Sequence, residues 1–261
     1  MRSATQKSQW RFEYCSGMIV FLHGVPETSA LWDGVRAEFD EETVALSLPG
    51  FGCERPEGFG ATKDDYADWL ITELEKFDAP VDLVGHDWGA LLTYRIATTR
   101  GDLLRSWTAD IANGVHPNVQ WHQYARTWQT PGEGEAYFKA IHETPIETMA
   151  EAYEGFHLSH DDALALAQWS DDTMATCILD LYRSATPNVF ASWGAQLAPT
   201  SAPGLILLAA LDTFGNEAMS KEVARTLGAR EVTLPGVGHW WALEAPRKAA
   251  AVIEEFIRSV D

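Results

Sequence analysis

Short apolar runs alternate with helix-like segments along most of the chain. Residues 18–22 are continuously apolar, as in a strand that is buried on both faces of a sheet. Further strands are predicted at residues 43–47, 81–85, 106–110, 205–211 and 231–234, and helices at 29–39, 62–77, 90–100 and 247–260. Strands that alternate with helices predict an α/β fold, in which helices cover both faces of a mostly parallel sheet.

The pattern changes between residues 115 and 200, where no short apolar strand occurs. Proline and tryptophan are scattered there, and the helical stretches are uneven. We therefore predict an α/β core, residues 1–114 and 201–261, with a helical cap, residues 115–200, inserted after the strand that ends at Asp110. Ahead of the core, residues 10–14 alternate between apolar and polar side chains, which predicts one additional strand.

The chain carries a large negative charge. Among its 261 residues, 19 Lys+Arg stand against 38 Asp+Glu, which gives a net charge of −19. This field repels nucleic acids and anionic membranes and disfavours a strongly anionic substrate. Eleven tryptophans are more than the core needs, so we expect some of them to line an apolar cavity, although packing alone would also account for most of them. The expected partner is therefore a small apolar substrate.

Cysteine usage and the N-terminus are typical of a cytoplasmic protein. The three cysteines are isolated, without metal-ligand spacing, and read as reduced thiols. The first eight residues lack the apolar core of a signal peptide, and the longest apolar run, residues 205–211, is too short to span a bilayer. We expect a monomer or homodimer without a metal ion or organic cofactor.

The most informative segment joins the strand at residues 81–85 to the helix that follows. It reads Gly-His-Asp-Trp-Gly at residues 85–89. The two glycines permit a turn too tight for side chains, and this turn raises Asp87 onto a corner at the positive end of the helix. A nucleophile elbow has this design, with serine in esterases at the position of Asp87. As a carboxylate, Asp87 can attack carbon and form an ester that water must then cleave.

Three motifs resemble, in order and spacing, those of the α/β-hydrolase fold with an aspartate nucleophile. They are His-Gly-Val-Pro at residues 23–26, Gly-His-Asp-Trp-Gly at 85–89 and Gly-Val-Gly-His-Trp at 236–240. The resemblance extends over essentially the whole chain. It implies that Asp87 is the nucleophile and that His239 is the base that deprotonates water for attack on the ester. The short N-terminus is a departure, because the family usually has two strands before the one at 18–22.

The acid that orients His239 has two candidates. Asp212 follows the strand at 205–211 and matches the position that most family members use, which favours it. Asp110 ends an earlier strand, at the position that some dehalogenases use. Either carboxylate would hold the imidazole tautomer and stabilise the imidazolium.

The resemblance also assigns roles to loop residues beside the nucleophile. It implies that the backbone N–H groups of Val25 and Trp88 form the oxyanion hole, which holds the oxygen that becomes negative when water attacks the ester. His23 and His86 flank the turns, and we expect them to brace the loops rather than to react.

The predicted cap contains two tyrosines that resemble those of epoxide hydrolases. Tyr124 lies five residues before a glutamine that is followed shortly by Pro-Gly, and Tyr182 is part of a Tyr-Arg pair. Opening an epoxide needs an acid that protonates the departing oxygen, and a phenol is a weak acid that stays protonated at neutral pH. We therefore predict an epoxide hydrolase that forms a vicinal diol, with Tyr124 and Tyr182 as proton donors.

Related enzymes use the same chemistry on other substrates. Haloacetate dehalogenases are similar but have Arg after the nucleophile, where this chain has Trp88. Haloalkane dehalogenases have Trp there, since an indole N–H can hold halide, and many have Asn at the position of Val25. One alternative is therefore a dehalogenase whose second halide-binding indole lies in the cap, at Trp121, Trp128, Trp169 or Trp193. A hydrolase-fold protein that binds a ligand without turning it over is the third hypothesis.

Overall fold

A parallel six-stranded sheet forms the centre of the computed structural model, which describes residues 17–260. The strands lie in the order β2-β1-β3-β4-β5-β6. They are β1 (Ile19–Leu22), β2 (Thr43–Leu46), β3 (Val81–Gly85), β4 (Leu104–Ala109), β5 (Gly204–Ala209) and β6 (Arg230–Leu234). The prediction of a parallel sheet is confirmed. The strand predicted at residues 10–14 lies outside the described residues.

Helices pack against both faces of this sheet. In chain order the α-helices of the described residues, including those inserted between β4 and β5, are α1 (Asp33–Arg36), α2 (Lys63–Leu74), α3 (Trp88–Thr99), α4 (Gln123–Gln129), α5 (Glu133–Glu143), α6 (Ile146–Glu154), α7 (His160–Trp169), α8 (Asp172–Ser184), α9 (Phe190–Trp193), α10 (Glu217–Leu227), α11 (Trp241–Glu244) and α12 (Pro246–Arg258). Val20 and Leu22 of β1 join a hydrophobic cluster with α2, α3 and α10, whereas Ile19 and Phe21 join a second cluster with α1 and α12. Consecutive side chains of a strand point to opposite faces, so the two clusters lie on opposite sides of the sheet. None of the helices between residues 17 and 260 has the length and apolar character needed to cross a membrane.

Two helices differ from the sequence prediction. The helix predicted at 29–39 is a 3-10 turn, Ser29–Trp32, followed by the short α1. Helix α10 was not predicted, although the sequence carries both of its end signals. The Asn216 side chain accepts the Met219 N–H at the start of α10, and Gly228 ends it with a φ of 70°. In contrast, α2 begins with the predicted capping box of Thr62 and Asp65.

Residues 115–200, called the inserted segment below, lie between β4 and β5 and contain helices α4 to α9 without a strand. Helix α8 packs against α4, α5 and α2, and α6 packs against α7. The insertion therefore contacts the core through α2 while the parallel sheet continues from β4 to its neighbour β5.

The carboxyl ends of the strands bring the predicted chemical groups to one edge of the sheet. Asp87 follows β3, Asp110 follows β4, Asp212 follows β5 and His239 follows β6. In open parallel sheets this edge is where ligands bind.

Candidate active site

Asp87 occupies the sharp turn between β3 and α3. Its backbone has a φ of 51° and a ψ of −118°, a conformation that residues other than glycine rarely adopt. The flanking glycines are needed for close packing. A Cβ at Gly85 would lie 2.4 Å from the carbonyl oxygen of Gly89, and a Cβ at Gly89 would lie 2.2 Å from the carbonyl oxygen of Leu22. The strand-to-helix turn predicted from the sequence is present, and the Asp87 side chain on it is 16% exposed.

His239 lies between two carboxylates. Its Nδ1 is 3.0 Å from Oδ2 of Asp212, and its Nε2 is 3.9 Å from Oδ2 of Asp87. The other Asp212 oxygen accepts the N–H of Phe214 at 2.7 Å, which fixes the carboxylate. Because an ionised carboxylate only accepts hydrogen bonds, Nδ1 of His239 carries the hydrogen and Nε2 is free to take a proton. The structure therefore brings together the predicted nucleophile, base and acid.

The pKa values of these three groups are shifted from their ordinary values. Burial raises the pKa of Asp87 to about 6. Burial acts on Asp212 in the same direction, but the neighbouring His239 outweighs it, so the pKa of Asp212 is lowered. Burial disfavours the charged form of His239, but Asp212 outweighs that effect and raises the pKa of His239. His239 is consequently a stronger base than a free imidazole.

Backbone N–H groups surround the Asp87 carboxylate. The N–H of Val25 donates to Oδ1 of Asp87 at 2.9 Å. Trp88 is the first residue of α3, so its N–H has no acceptor within the helix. A Cβ at Gly24 would lie 2.4 Å from Oδ1 of Asp87 and 2.7 Å from the amide nitrogen of Trp88. Both predicted amides therefore lie beside the carboxylate, in a space that only glycine at position 24 leaves open.

Asp110 belongs to a different buried network. Its Oδ1 accepts the backbone N–H of Asp87 at 3.0 Å, and its Oδ2 accepts the indole N–H of Trp241 at 2.6 Å. The same Oδ2 is 2.5 Å from Nδ1 of His86. Of the two candidate acids, Asp110 thus binds His86 and supports the turn, and it makes no contact with the imidazole of His239.

His86 is buried between two carboxylates. Its Nε2 lies 3.1 Å from Oε1 of Glu27, opposite the Asp110 contact. Burial alone would lower the pKa of His86, but Asp110 and Glu27 outweigh it and raise the pKa well above the ordinary value. Ligand atoms of Glu27, His86 and His239 lie within 4.8 Å of one another, close enough for a metal ion. Because a carboxylate already lies against each nitrogen of His86, these residues form an ion-pair network and are poorly suited to metal ligation.

Glu27 and His23 hold the loop that carries Val25. Glu27 is fully buried, and its carboxylate accepts the N–H of Gly24 and the indole N–H of Trp240, both at 2.8 Å. His23 bonds the carbonyl of Gly24 through Nδ1 at 2.9 Å and accepts the N–H of Leu48 on Nε2 at 3.1 Å. His23 and His86 therefore make bracing contacts of the kind expected from the sequence.

Two cavities meet at Asp87. The first has a volume of about 190 Å³, lies beside His239 and is lined largely by aromatic side chains of the inserted segment, including Trp128 and Tyr137. The second has a volume of about 440 Å³ and includes polar side chains such as Asn118 and Gln120. An apolar cavity with a few polar groups is the usual form of a small-molecule site.

The two tyrosines predicted as proton donors differ in their surroundings. Tyr182, on α8, is 2% exposed and borders both cavities, whereas Tyr124, on α4, is 42% exposed and borders only the first. Burial and the nearby Asp87 charge raise the pKa of Tyr182 well above its ordinary value, so this phenol keeps its proton. The Tyr124 ring stacks on Trp128, with a centroid distance of 6.2 Å. Tyr182 is therefore the tyrosine that lies buried next to the nucleophile.

Three residues of this site were not predicted from the sequence: Glu27, His122 and Phe214. The Phe214 ring lies between the rings of His122 and His239, with centroid distances of 5.0 and 4.8 Å. Phe214 comes from an irregular loop, where no periodic pattern marks a residue. His122 is the N-cap of α4, a position for which histidine is not a usual residue and gives no signal.

Comparison with known proteins identifies the family. A model of the alpha/beta hydrolase family matches residues 19–252, and the chain belongs to this family. Epoxide hydrolase 3 of Xenopus tropicalis is 23% identical over 95% of this chain and 75% of its own length. The fold of the family, a parallel sheet flanked by helices, is the fold described above.

Two solved structures share the architecture. An epoxide hydrolase from Vigna radiata superposes with a TM-score of 0.74 at 21% identity, over 94% of this chain and 92% of that one. A loop variant of a haloalkane dehalogenase from Bradyrhizobium elkanii superposes with a TM-score of 0.73 at 22% identity, over 95% and 91%. At this identity the two structures agree on the fold alone, and the choice of reaction depends on the site residues.

Proposed function

We propose that this hydrolase opens an epoxide to a vicinal diol through a covalent ester on Asp87. The observation that carries the proposal is the buried phenol of Tyr182, which borders the same two cavities as Asp87. An alkoxide needs a proton as it departs, and a buried phenol can supply one, whereas a departing halide needs no proton.

In the first step, a carboxylate oxygen of Asp87 attacks a ring carbon of the epoxide. The ring C–O bond breaks, its electron pair stays on the oxygen, and Tyr182 donates a proton to that oxygen. The resemblance implies Tyr124, which borders the first cavity, as the second donor. Solvent later returns a proton to the Tyr182 phenolate. The product of this step is a hydroxyalkyl ester of Asp87.

In the second step, His239 takes a proton from water, and the water oxygen attacks the ester carbonyl carbon. The N–H groups of Val25 and Trp88 stabilise the resulting oxyanion. The intermediate collapses, the diol oxygen leaves with the proton from His239, and the Asp87 carboxyl group releases the remaining water proton to solvent, which restores the carboxylate. Asp212 stabilises the imidazolium in between, as its 3.0 Å contact with His239 allows. No step needs a metal ion or an organic cofactor.

The cavity and the charge of the chain favour a small uncharged substrate. The first cavity, of about 190 Å³, is formed mostly by apolar side chains of the inserted segment, which would act as a cap over Asp87. The net charge of −19 disfavours the approach of anions. An aryl or alkyl epoxide fits these properties.

Haloalkane dehalogenation is the second candidate function, and one specific observation favours it. The indole Nε1 atom of Trp128 is buried without a hydrogen-bond partner among the described residues, and that of Trp88 is buried with the Tyr182 hydroxyl as its polar neighbour. Both rings contact Tyr182, with centroid distances of 5.3 and 4.9 Å. Buried N–H groups normally have a partner, and two indole N–H groups beside the predicted nucleophile, one of them unpaired, can bind a halide.

One assay separates the two reactions. The purified protein is incubated with a panel of aryl and alkyl epoxides and a panel of chloro- and bromoalkanes, and diol and halide are measured. The proposal predicts enzyme-dependent diol formation and little halide release. Halide release without diol formation would reverse the choice, and no turnover of either panel would support a ligand-binding protein.

A further inference from the structure

His122 stands at the point where the two cavities meet. Four residues border both cavities: Asp87, His122, Tyr182 and Phe214. The first is the nucleophile, and Phe214 has no polar side-chain atom. His122 and Tyr182 are therefore the two side chains at this junction that can donate a hydrogen bond. Tyr124 borders the first cavity only.

The capping bond of α4 fixes the tautomer of His122. Its Nδ1 accepts the backbone N–H of Ala125 at 3.2 Å, so the hydrogen of the neutral imidazole is on Nε2. Burial, with His239 as a further cause, lowers the pKa of His122 to about 4, so the ring is neutral at physiological pH. No described residue bonds the Nε2 atom, which leaves this N–H available to a ligand.

The neighbouring rings hold His122 in this orientation. Its ring packs edge-on against Phe214 at 5.0 Å and against Tyr182 at 6.2 Å, and Trp128 lies on a further side at 6.0 Å. Phe214 in turn packs against His239, the base that acts on the ester. A donor held by a backbone bond and by three aromatic rings is positioned before the substrate binds, which is the condition for effective stabilisation of a developing charge.

Given the epoxide hydrolase function proposed above, on which this step rests, we infer that Nε2–H of His122 binds the departing epoxide oxygen together with the Tyr182 hydroxyl. His122 then takes the place that the resemblance assigns to Tyr124. Its role is a hydrogen bond: the electron pair of the broken C–O bond goes to the oxygen, the proton on that oxygen comes from Tyr182, and His122 keeps its own proton. A neutral imidazole is suited to this role because it is a weak acid but a good donor.

Two substitutions of His122 distinguish its capping bond to the Ala125 N–H from the proposed hydrogen bond that its Nε2–H donates to the substrate. His122→Asn keeps an acceptor for the Ala125 N–H, since asparagine is a preferred N-cap, but it removes the N–H at the position of Nε2. His122→Gln places an amide N–H near that position but caps poorly. His160→Asn is the matched control, because His160 is exposed on α7 and lies outside both cavities.

The test measures formation of the Asp87 ester from styrene oxide, by rapid quench and intact mass, in a His239→Gln background where the ester accumulates. His122→Asn is expected to slow this step by about 100- to 1,000-fold with little change in melting temperature, by analogy with removal of one oxyanion donor. His122→Gln should stay within about three-fold of the parent in rate while its melting temperature falls. His160→Asn should match the parent in both.

Three results would overturn the inference. Ester formation by His122→Asn at the parental rate would show that Nε2–H does not reach the oxygen. If ester formation slows in both His122 variants, and slows more in the variant with the lower melting temperature, His122 has a structural role only. A larger loss in Tyr124→Phe than in His122→Asn would return the second donor to Tyr124. In each of these cases the parent still opens epoxides, so the proposed function stands. If wild-type protein opens no epoxide, the proposed function fails and the inference fails with it.

Discussion

The Nδ1 atom of His239 lies 3.0 Å from Oδ2 of Asp212. Oδ2 of Asp110 instead accepts the indole N–H of Trp241 and contacts Nδ1 of His86. Two acids at the same edge of the sheet therefore serve different purposes. Asp212 contacts the imidazole of His239, the proposed base, while Asp110 supports the turn that carries Asp87 through the bond to its backbone N–H.

Replacing these acids should have opposite effects on activity and stability. Asp212→Asn is expected to lower turnover by about 10³- to 10⁴-fold with a small change in melting temperature, because it removes the group that fixes the imidazole tautomer. Asp110→Asn leaves the buried His86 with one partner fewer, which is expected to cost about 3–5 kcal/mol of folding free energy. Turnover and thermal melts of both variants check this. A larger loss of turnover per folded molecule in Asp110→Asn would contradict the assignment of Asp212.

Substitution of Asp87 should abolish turnover without weakening the fold. The ionised side chain is disfavoured by its surroundings, as its raised pKa shows, so Asp87→Ala is expected to melt no lower than wild type at neutral pH. Asp161→Ala, at an exposed position in the first turn of α7, is the control for an acid that takes no part in the site. Near wild-type turnover by Asp87→Ala would rule out a covalent role for this carboxylate.

His239→Gln should allow the first step and stop the second. Attack by Asp87 needs no base, but hydrolysis of the ester needs one. Intact mass after addition of an epoxide is therefore expected to show a protein adduct equal to the mass of the substrate, located on the peptide that contains Asp87. Absence of an adduct after exposure sufficient for many wild-type turnovers would count against His239 as the hydrolytic base.

The rate of formation of the Asp87 ester should fall as the pH is lowered. Asp87 attacks only as a carboxylate, and burial raises its pKa to about 6, so the ionised fraction falls as the pH drops through that value. The wild-type rate of ester formation, measured in a single turnover, is expected to fall below about pH 6. The charge of His239 lowers the pKa of Asp87, so the acid limb of His239→Gln should lie at higher pH. An acid limb at lower pH in His239→Gln would be inconsistent with this coupling.

Donor substitutions should distinguish epoxide from halide chemistry. Tyr182→Phe keeps the ring and removes the hydroxyl, which is expected to cost about 2–4 kcal/mol in ester formation from epoxides, by analogy with an oxyanion donor. Trp88→Phe removes an indole N–H that would bind a halide and should affect epoxides less. Rates of diol and halide formation by both variants provide the comparison. Epoxide opening by Tyr182→Phe at the wild-type rate would eliminate Tyr182 as the acid.

Local patterns predicted the fold and the residues at the ends of strands. Asp87 and Asp212 are recognisable because each follows an apolar run and because carboxyl ends of parallel strands share one edge, whereas His239, after the largely exposed β6, is recognisable by the resemblance of its Gly-flanked loop. The choice between Asp212 and Asp110 could not be made from spacing, since both follow strands and only packing shows which one faces His239. Glu27 and His122 were missed because their roles depend on partners distant in sequence, Trp240 in one case and Phe214 in the other.

The central claim is that Asp87 is alkylated by an epoxide and that water then attacks the carbonyl carbon of the ester. A single turnover in water enriched in heavy oxygen, with enzyme in excess over styrene oxide, tests it most directly. The oxygen that Asp87 transfers to the substrate comes from its own carboxylate, so the first diol should carry no label and the peptide containing Asp87 should carry one heavy oxygen. Label in the diol and none in the peptide would show that water attacks the epoxide directly, and the covalent mechanism would be wrong.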